Sequence, residues 1–188
     1  MGWGKLQTAL DIIYPPRCVA CGGHADSDYG LCGTCWRQVH FMRGTGCWTC
    51  GLSLPGYLDA SEQVISASCL SLGPPWRRGV AALAYDETGR SLVLALKHGD
   101  RHDIVRPAAD WMAQVSRVLV QPNMLVAPVP LHWTRLFRRR YNQAALLSAA
   151  LAKRLDLSHC ADLLIRSSRT QSLEGCSNDQ VLPLWGRL

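Results

Sequence analysis

The spacing of the cysteines constrains this chain most: seven of nine fall between Cys18 and Cys69. Four of them form two pairs, Cys18-x-x-Cys21 and Cys32-x-x-Cys35, separated by ten residues. Two thiolates with two residues between them can turn back onto one metal ion through a tight knuckle. Two such knuckles complete a tetrahedral site. Turn-forming residues stand where knuckles need them, with Gly22-Gly23 after the first pair and Gly33 inside the second. A disulfide framework is the alternative, but it requires an oxidising compartment that nothing in the sequence indicates. The spacing therefore favours structural zinc at Cys18, Cys21, Cys32 and Cys35.

A second set begins at Cys47-Trp-Thr-Cys50-Gly51, and its partner pair is incomplete. Cys69 follows, but Ser66 stands where the x-x spacing would place another cysteine. Serine is a poor zinc ligand, so Cys47, Cys50 and Cys69 supply three thiolates at most. Three readings stay open: the site is empty, it borrows a histidine such as His40, or it holds metal weakly. A catalytic zinc also has three protein ligands, yet no general base stands in an obvious place nearby. Cys160 and Cys176 are isolated and read as a core residue and a loop thiol.

At 188 residues, with 48% hydrophobic and 18% charged, the chain can build a packed core. No segment reaches the roughly 18 consecutive apolar residues of a membrane span, and the start lacks the pattern of a signal peptide. A cytoplasmic location is expected. The net charge of +6 is unevenly placed: residues 1–70 carry four cations and five anions, residues 71–188 sixteen and nine. Seventeen of the twenty cations are arginine, whose planar fork suits a phosphorylated ligand or nucleic acid. A GC-rich genome, which encodes arginine readily, is the bland explanation of the same bias.

Along the chain, Trp3, Leu6, Leu10 and Ile13 mark a helical stripe that Pro15-Pro16 ends. Gly73-Pro74-Pro75 marks a boundary. Val80–Tyr85 reads as a strand, and Thr88 as the cap of a helix ending at Gly99. Asp103 reads as the cap of a longer helix through Val118, with Pro107 in its first turn. Met124–Val129 reads as a buried strand and Asn142–Leu155 as a helix with Leu147, Leu151 and Leu155 on one face. Strand, loop and helix in this order imply an α/β sheet. No internal repeat or low-complexity tract is evident.

Several blocks together resemble the ComF (GntX-like) family: the double cysteine pairs, Ala84-Tyr85-Asp86-Glu87, Leu96-Lys97-His98-Gly99-Asp100 and Pro128-Val129-Pro130-Leu131-His132. The last continues as Arg135-x-x-Arg138-Arg139-Arg140-Tyr141-Asn142-Gln143. The resemblance implies an α/β protein: a small N-terminal zinc-ribbon module followed by an incomplete type I phosphoribosyltransferase-like parallel-sheet domain. It divides the chain into an N-terminal helix over residues 1–16, a double zinc ribbon over 17–72 and the transferase-like part over 76–188.

The same resemblance makes Pro128 to Tyr141 a pyrophosphate-binding loop, with Pro130, His132, Arg135, Arg138, Arg139, Arg140 and Asn142 as its candidate residues. Physical logic agrees, because open α/β sheets bind ligands where a loop leaves a strand and opens a helix. The plain alternative is a solvated first helical turn. Phosphoribosyl pyrophosphate (PRPP) and magnesium are the ligands the family implies. Yet no acidic pair here leads into the Thr-Thr-Gly loop that would hold the ribose and 5-phosphate. After Arg166-x-x-Arg169-Thr170-x-Ser172-Leu173 the sequence ends Asp179-Gln-Val-Leu-Pro-Leu-Trp-Gly-Arg-Leu188, which reads as a truncated product. Three functions follow as expectations. One is a transferase-like protein linked to competence and DNA uptake, catalytically incomplete and binding a phosphorylated sugar. Another is a zinc-dependent accessory protein that binds single-stranded DNA or the competence machinery. The last is a truncated fragment without function.

Overall fold

The computed structural model describes residues 14–42, 46–54 and 63–168. The N-terminal helix expected within residues 1–16 lies, through residue 13, outside the described residues, as do Arg169, Thr170, Ser172 and Cys176. The first cysteine pair sits in a knuckle in which the Cys18 N–H donates to Gly23 O (2.7 Å) and the Gly22 N–H to Cys18 O (2.9 Å). Arg17 and His24 form an antiparallel bridge across its base. Helix α1 (Gly33–Gln38) follows, with Cys32 at its N-cap and Cys35 in its first turn. The second pair repeats this plan: Cys47 N–H to Leu52 O (2.7 Å), Gly51 N–H to Cys47 O (2.8 Å), and a bridge between Gly46 and Ser53. Helix α2 (Ala67–Leu72) has Ser66 at its N-cap and Cys69 in its first turn. The two units are thus structural repeats. Sequence inspection misses them because they share little beyond the cysteine and glycine positions of the knuckle and have connecting segments of unequal length.

The first ribbon is packed against the rest of the chain. Val19 and Val39 from the ribbon form one buried cluster with Leu92 and Ile104, with Leu31, Phe41, Ala95 and Trp111 against it. Phe41 lies between Trp36 (ring centroids 4.8 Å) and Trp111 (5.5 Å, edge-on). Such pairs add about 0.5–1.5 kcal/mol beyond the area they bury.

Val80–Tyr85 does not form a strand. It makes one antiparallel bridge, Phe41 to Leu83, flanked by Met42 N–H to Ala82 O and Ala84 N–H to His40 O. The segment is held to the chain between the ribbons, not to a sheet, so its apolar run serves the ribbon contact. Helix α3 (Glu87–His98) is capped by Asp86, whose carboxylate accepts the Gly89 N–H at 2.9 Å, and not by Thr88. A Cβ at position 89 would collide with the Ala84 carbonyl oxygen, so this turn requires glycine. Gly99 ends the helix as expected.

Asp103 lies in a short 3-10 turn (His102–Ile104) and holds Arg101; helix α4 (Val105–Ser116) has no side-chain cap. Pro107 fits the first turn, where backbone N–H groups lack intrahelical partners anyway. A second 3-10 turn, Arg117–Leu119, finishes the segment.

Strand β1 covers Leu125–Val126 alone, with Leu125 exposed, in place of the expected buried strand Met124–Val129. Pro128 and Pro130 offer no N–H to a ladder, and the partner, β2 (Ser158–His159), is equally short. The pairing is parallel, Leu125 with Ser158 and Val126 with His159. Between the strands run helix α5 (Trp133–Arg139) and helix α6 (Gln143–Leu155). A crossover of this kind is what a parallel pair requires. Helix α6 packs along α4. Its buried residues are Ser148 and Ala152, and those of α4 include Ala109 and Ala113. Leu147, Leu151 and Leu155 are half-buried, because small side chains allow the close approach. The described chain is thus a mixed helix–strand structure with a small parallel sheet. Among the described residues no helix is long and apolar enough to cross a membrane.

Candidate functional site

The four sulfurs of Cys18, Cys21, Cys32 and Cys35 lie within 4.8 Å of one another, and those of Cys21 and Cys32 are 3.7 Å apart. Zinc–sulfur bonds of about 2.3 Å at tetrahedral angles require edges of roughly 3.8 Å, whereas a disulfide requires about 2.05 Å. The spacing fits a metal and not a bridge. Cys18 and Cys35 are buried, Cys32 is half-buried and Cys21 exposed. Burial by itself raises the Cys18 thiol, but N–H groups of Cys21, Cys32 and Ala20 outweigh it and bring the thiol down to about 6. Burial and the neighbouring sulfurs push Cys35 upward. The knuckle N–H groups thus favour the thiolate form of Cys18. A zinc ion here would draw in four thiolates and supply folding free energy to a ribbon with little core of its own.

The sulfurs of Cys47, Cys50 and Cys69 also lie within 4.8 Å of one another. The Ser66 N–H donates to Cys47 Sγ at 3.3 Å, and Ser66 Oγ accepts the Cys69 N–H at 3.4 Å. Burial raises the Cys47 thiol, yet the Ser66 hydroxyl and N–H, with the N–H groups of Cys50 and Thr49, bring it down to about 6. Burial pushes Cys50 the other way. His40 is not part of this cluster: its Nδ1 lies 2.5 Å from the Asp86 carboxylate, at the cap of α3. The borrowed-histidine reading therefore fails. Cys160 is half-buried, with its thiol 3.3 Å from Asp162 Oδ1.

The candidate anion loop leaves the end of β1. Pro128 is buried and Pro130 half-buried. His132 is buried at the N-cap of α5, its Nδ1 2.8 Å from Thr134 Oγ1. Arg135, Arg138 and Arg139 project from a helix, where sequence suggested an irregular loop around a helix start. Arg138 and Arg140 are exposed, Arg135 and Arg139 half-buried. Arg140 adopts φ +64° and closes α5 through its N–H to Leu136 O. Asn142 caps α6 through Oδ1 to the Ala144 N–H (3.0 Å) and returns Nδ2 to Val129 O (3.4 Å), tying the two ends of the segment together. The Tyr141 hydroxyl donates to Leu96 O at 2.7 Å and its ring meets His102 edge-on. Exposed Trp133 (71%) and Phe137 (87%) stand one turn apart on α5. The sequence pattern shows no dense run of aromatics interleaved with cations, Trp133 with Arg135 being the nearest case, so this exposed pair was missed. The one adjacent acidic pair of the sequence, Asp86-Glu87, begins α3 and holds no ligand loop.

Residues 9–72 match the double zinc ribbon domain family. The chain is 29% identical over 167 residues to competence protein F of Haemophilus influenzae, covering 86% of this chain and 70% of that protein. It is 32% identical over 153 residues to DNA utilization protein YhgH of Salmonella typhimurium, covering 77% of this chain and 64% of that one. The YhgH protein of Escherichia coli K12 is 27% identical over 148 residues, 62% of its length. No solved structure matches. The cysteine clusters and the matched family define a double zinc ribbon protein, with zinc as its structural metal. The chain is homologous to competence protein F and the YhgH proteins, and with them falls in the ComF family.

Proposed function

We propose that this protein takes a ComF-type part in DNA uptake or utilisation, in the cytosol, with residues 128–142 contacting nucleic-acid phosphates. Its relationship to proteins named for competence and DNA utilization supports the process. The observation that carries the molecular reading is helix α5, where exposed Trp133 and Phe137 stand among Arg135, Arg138, Arg139 and Arg140. Arginine neutralises phosphates, and aromatic faces stack bases without sequence preference at about 1–3 kcal/mol per base. The zinc ribbon acts as a structural platform, docked through Val19 and Val39.

A second reading follows from the β1–α5 connection: the part after residue 76 is phosphoribosyltransferase-like, and the same arginines hold the pyrophosphate of PRPP with magnesium. The parallel pair β1–β2 and the position of the loop at the end of β1 favour it. These 188 residues carry no acidic pair leading into a Thr-Thr-Gly loop, so transfer chemistry by this chain is not expected.

Fluorescence anisotropy of a labelled single-stranded oligonucleotide, with PRPP and magnesium as competitor, separates the two. Binding that resists PRPP and weakens in Phe137→Ala supports the DNA reading. Binding of PRPP alone, with no oligonucleotide bound at low salt, overturns it.

A further inference from the structure

The two ribbons match residue for residue at the metal, and the match assigns Ser66 a position. In the first ribbon Cys32 is the N-cap of α1, with φ −66° and ψ 161°, and the Trp36 N–H donates to its carbonyl. In the second, Ser66 is the N-cap of α2, with φ −64° and ψ 149°, and the Leu70 N–H donates to its carbonyl. Cys35 and Cys69 each stand three residues on, and each accepts the N–H four residues later, from Val39 and Gly73. The knuckle halves agree as closely, with Gly22 at φ +74° and Gly51 at +75°. Ser66 therefore occupies the corner that Cys32 occupies in the first ribbon.

Three further observations make this corner part of a site. Ser66 is buried at 8% exposure, Cys47 and Cys69 are buried with it, and its backbone N–H points at Cys47 Sγ. The three sulfurs already lie close enough to share one ion. Gly51 packs against the Val80 backbone, where a Cβ would come within 2.8 Å of Val80 Cα, so the rest of the chain holds the knuckle closed.

We infer that the second ribbon holds a divalent metal through Cys47, Cys50 and Cys69, with oxygen at the fourth corner supplied at Ser66 by its hydroxyl or by a water it holds. Whichever of the three sulfurs still carry protons give them to solvent as the ion enters, so that all three bind as thiolates. A neutral oxygen donates less charge to zinc than a thiolate does, so this ion exchanges faster than the one in the first ribbon. The protein thus carries one permanent and one exchangeable metal, and the second ribbon responds to zinc availability while the first does not. The inference is independent of the DNA reading.

The test uses the full chain loaded with zinc or with cobalt(II). Native mass spectrometry should give two metals per chain, and release to a chromogenic chelator should show a fast and a slow phase, one equivalent each. The cobalt form should combine a four-sulfur spectrum with a three-sulfur, one-oxygen spectrum. Ser66→Cys should convert the second to the first and slow the fast phase by at least the roughly tenfold that even an altered outer partner produces. The wild-type phases and spectrum decide the matter without the variant, should it fold poorly. One metal per chain, or two with a purely four-sulfur spectrum and a single release phase, would overturn the inference.

Discussion

The Arg101 guanidinium donates to the main-chain carbonyl of Val19 across 3.1 Å while its other edge grips Asp103 through two hydrogen bonds of 2.8 and 2.9 Å. Val19 lies inside the first knuckle, and Asp103 in the turn that leads into α4. One side chain thus fastens the zinc ribbon to the helices.

Replacing Arg101 with alanine removes that fastening. The pair is more than one-third exposed, so solvent screens it. A loss of about 1 kcal/mol is expected by chemical denaturation. Hydrogen exchange should quicken at Val19 and leave α6 unchanged; uniform quickening would mean that Arg101 acts on the whole fold.

Leu92, at 3% exposure, sits in the cluster shared by ribbon and helices. Leu92→Ala should cost about 2–5 kcal/mol, larger if the site cannot collapse. Zinc should also leave the first ribbon faster in this variant, since Val19 packs in the same cluster. An unchanged release rate would show that the ribbon holds its metal without help from the helices.

The cap of α3 sets a pH dependence. The Gly89 N–H, and after it His40, hold the Asp86 carboxyl below the ordinary carboxylate range. The charged form is thus favoured by folding. Its contribution is complete above a pH of about 4, where the unfolded carboxyl also ionises, and is lost as pH falls through the lowered value. Asp86→Asn keeps an acceptor but not the charge. The gap in melting midpoint between wild type and variant should be open at neutral pH and close on acidification; a gap independent of pH contradicts the assignment.

Chelating both metals should reach beyond the ribbons. Trp36, Phe41 and Trp111 form one aromatic series from ribbon to α4. Tryptophan emission should shift to the red on chelation and return with added zinc, whereas a Cys18→Ser variant should show the shifted emission from the outset.

How far the sequence disclosed these features depended on whether a feature was local. The knuckles were legible because Cys18-x-x-Cys21 and Cys47-x-x-Cys50 carry their own glycine turns, and α6 because Asn142 caps a long run of helix formers. The Val80–Tyr85 strand failed because a short apolar run cannot say whether its partner is a sheet or one residue pair at Phe41. The Asp86 cap was misplaced by two residues at Thr88, and its partner His40 lies forty-six positions away, where no spacing rule reaches. The place of Ser66 was legible, because Ser66-x-x-Cys69 keeps the spacing of Cys32-x-x-Cys35, but its burial and its N-cap backbone angles were not.

The central claim is that α5 meets nucleic-acid phosphates, and the salt dependence of single-stranded DNA binding tests it most directly. Each phosphate neutralised adds about 0.7 to the slope of log affinity against log salt. Arg138→Gln with Arg140→Gln removes two exposed charges and makes no new demand on the φ +64° backbone at position 140. The slope should become shallower by about 1.4. An unchanged slope in a folded, zinc-loaded variant would contradict the claim and place the DNA contacts elsewhere.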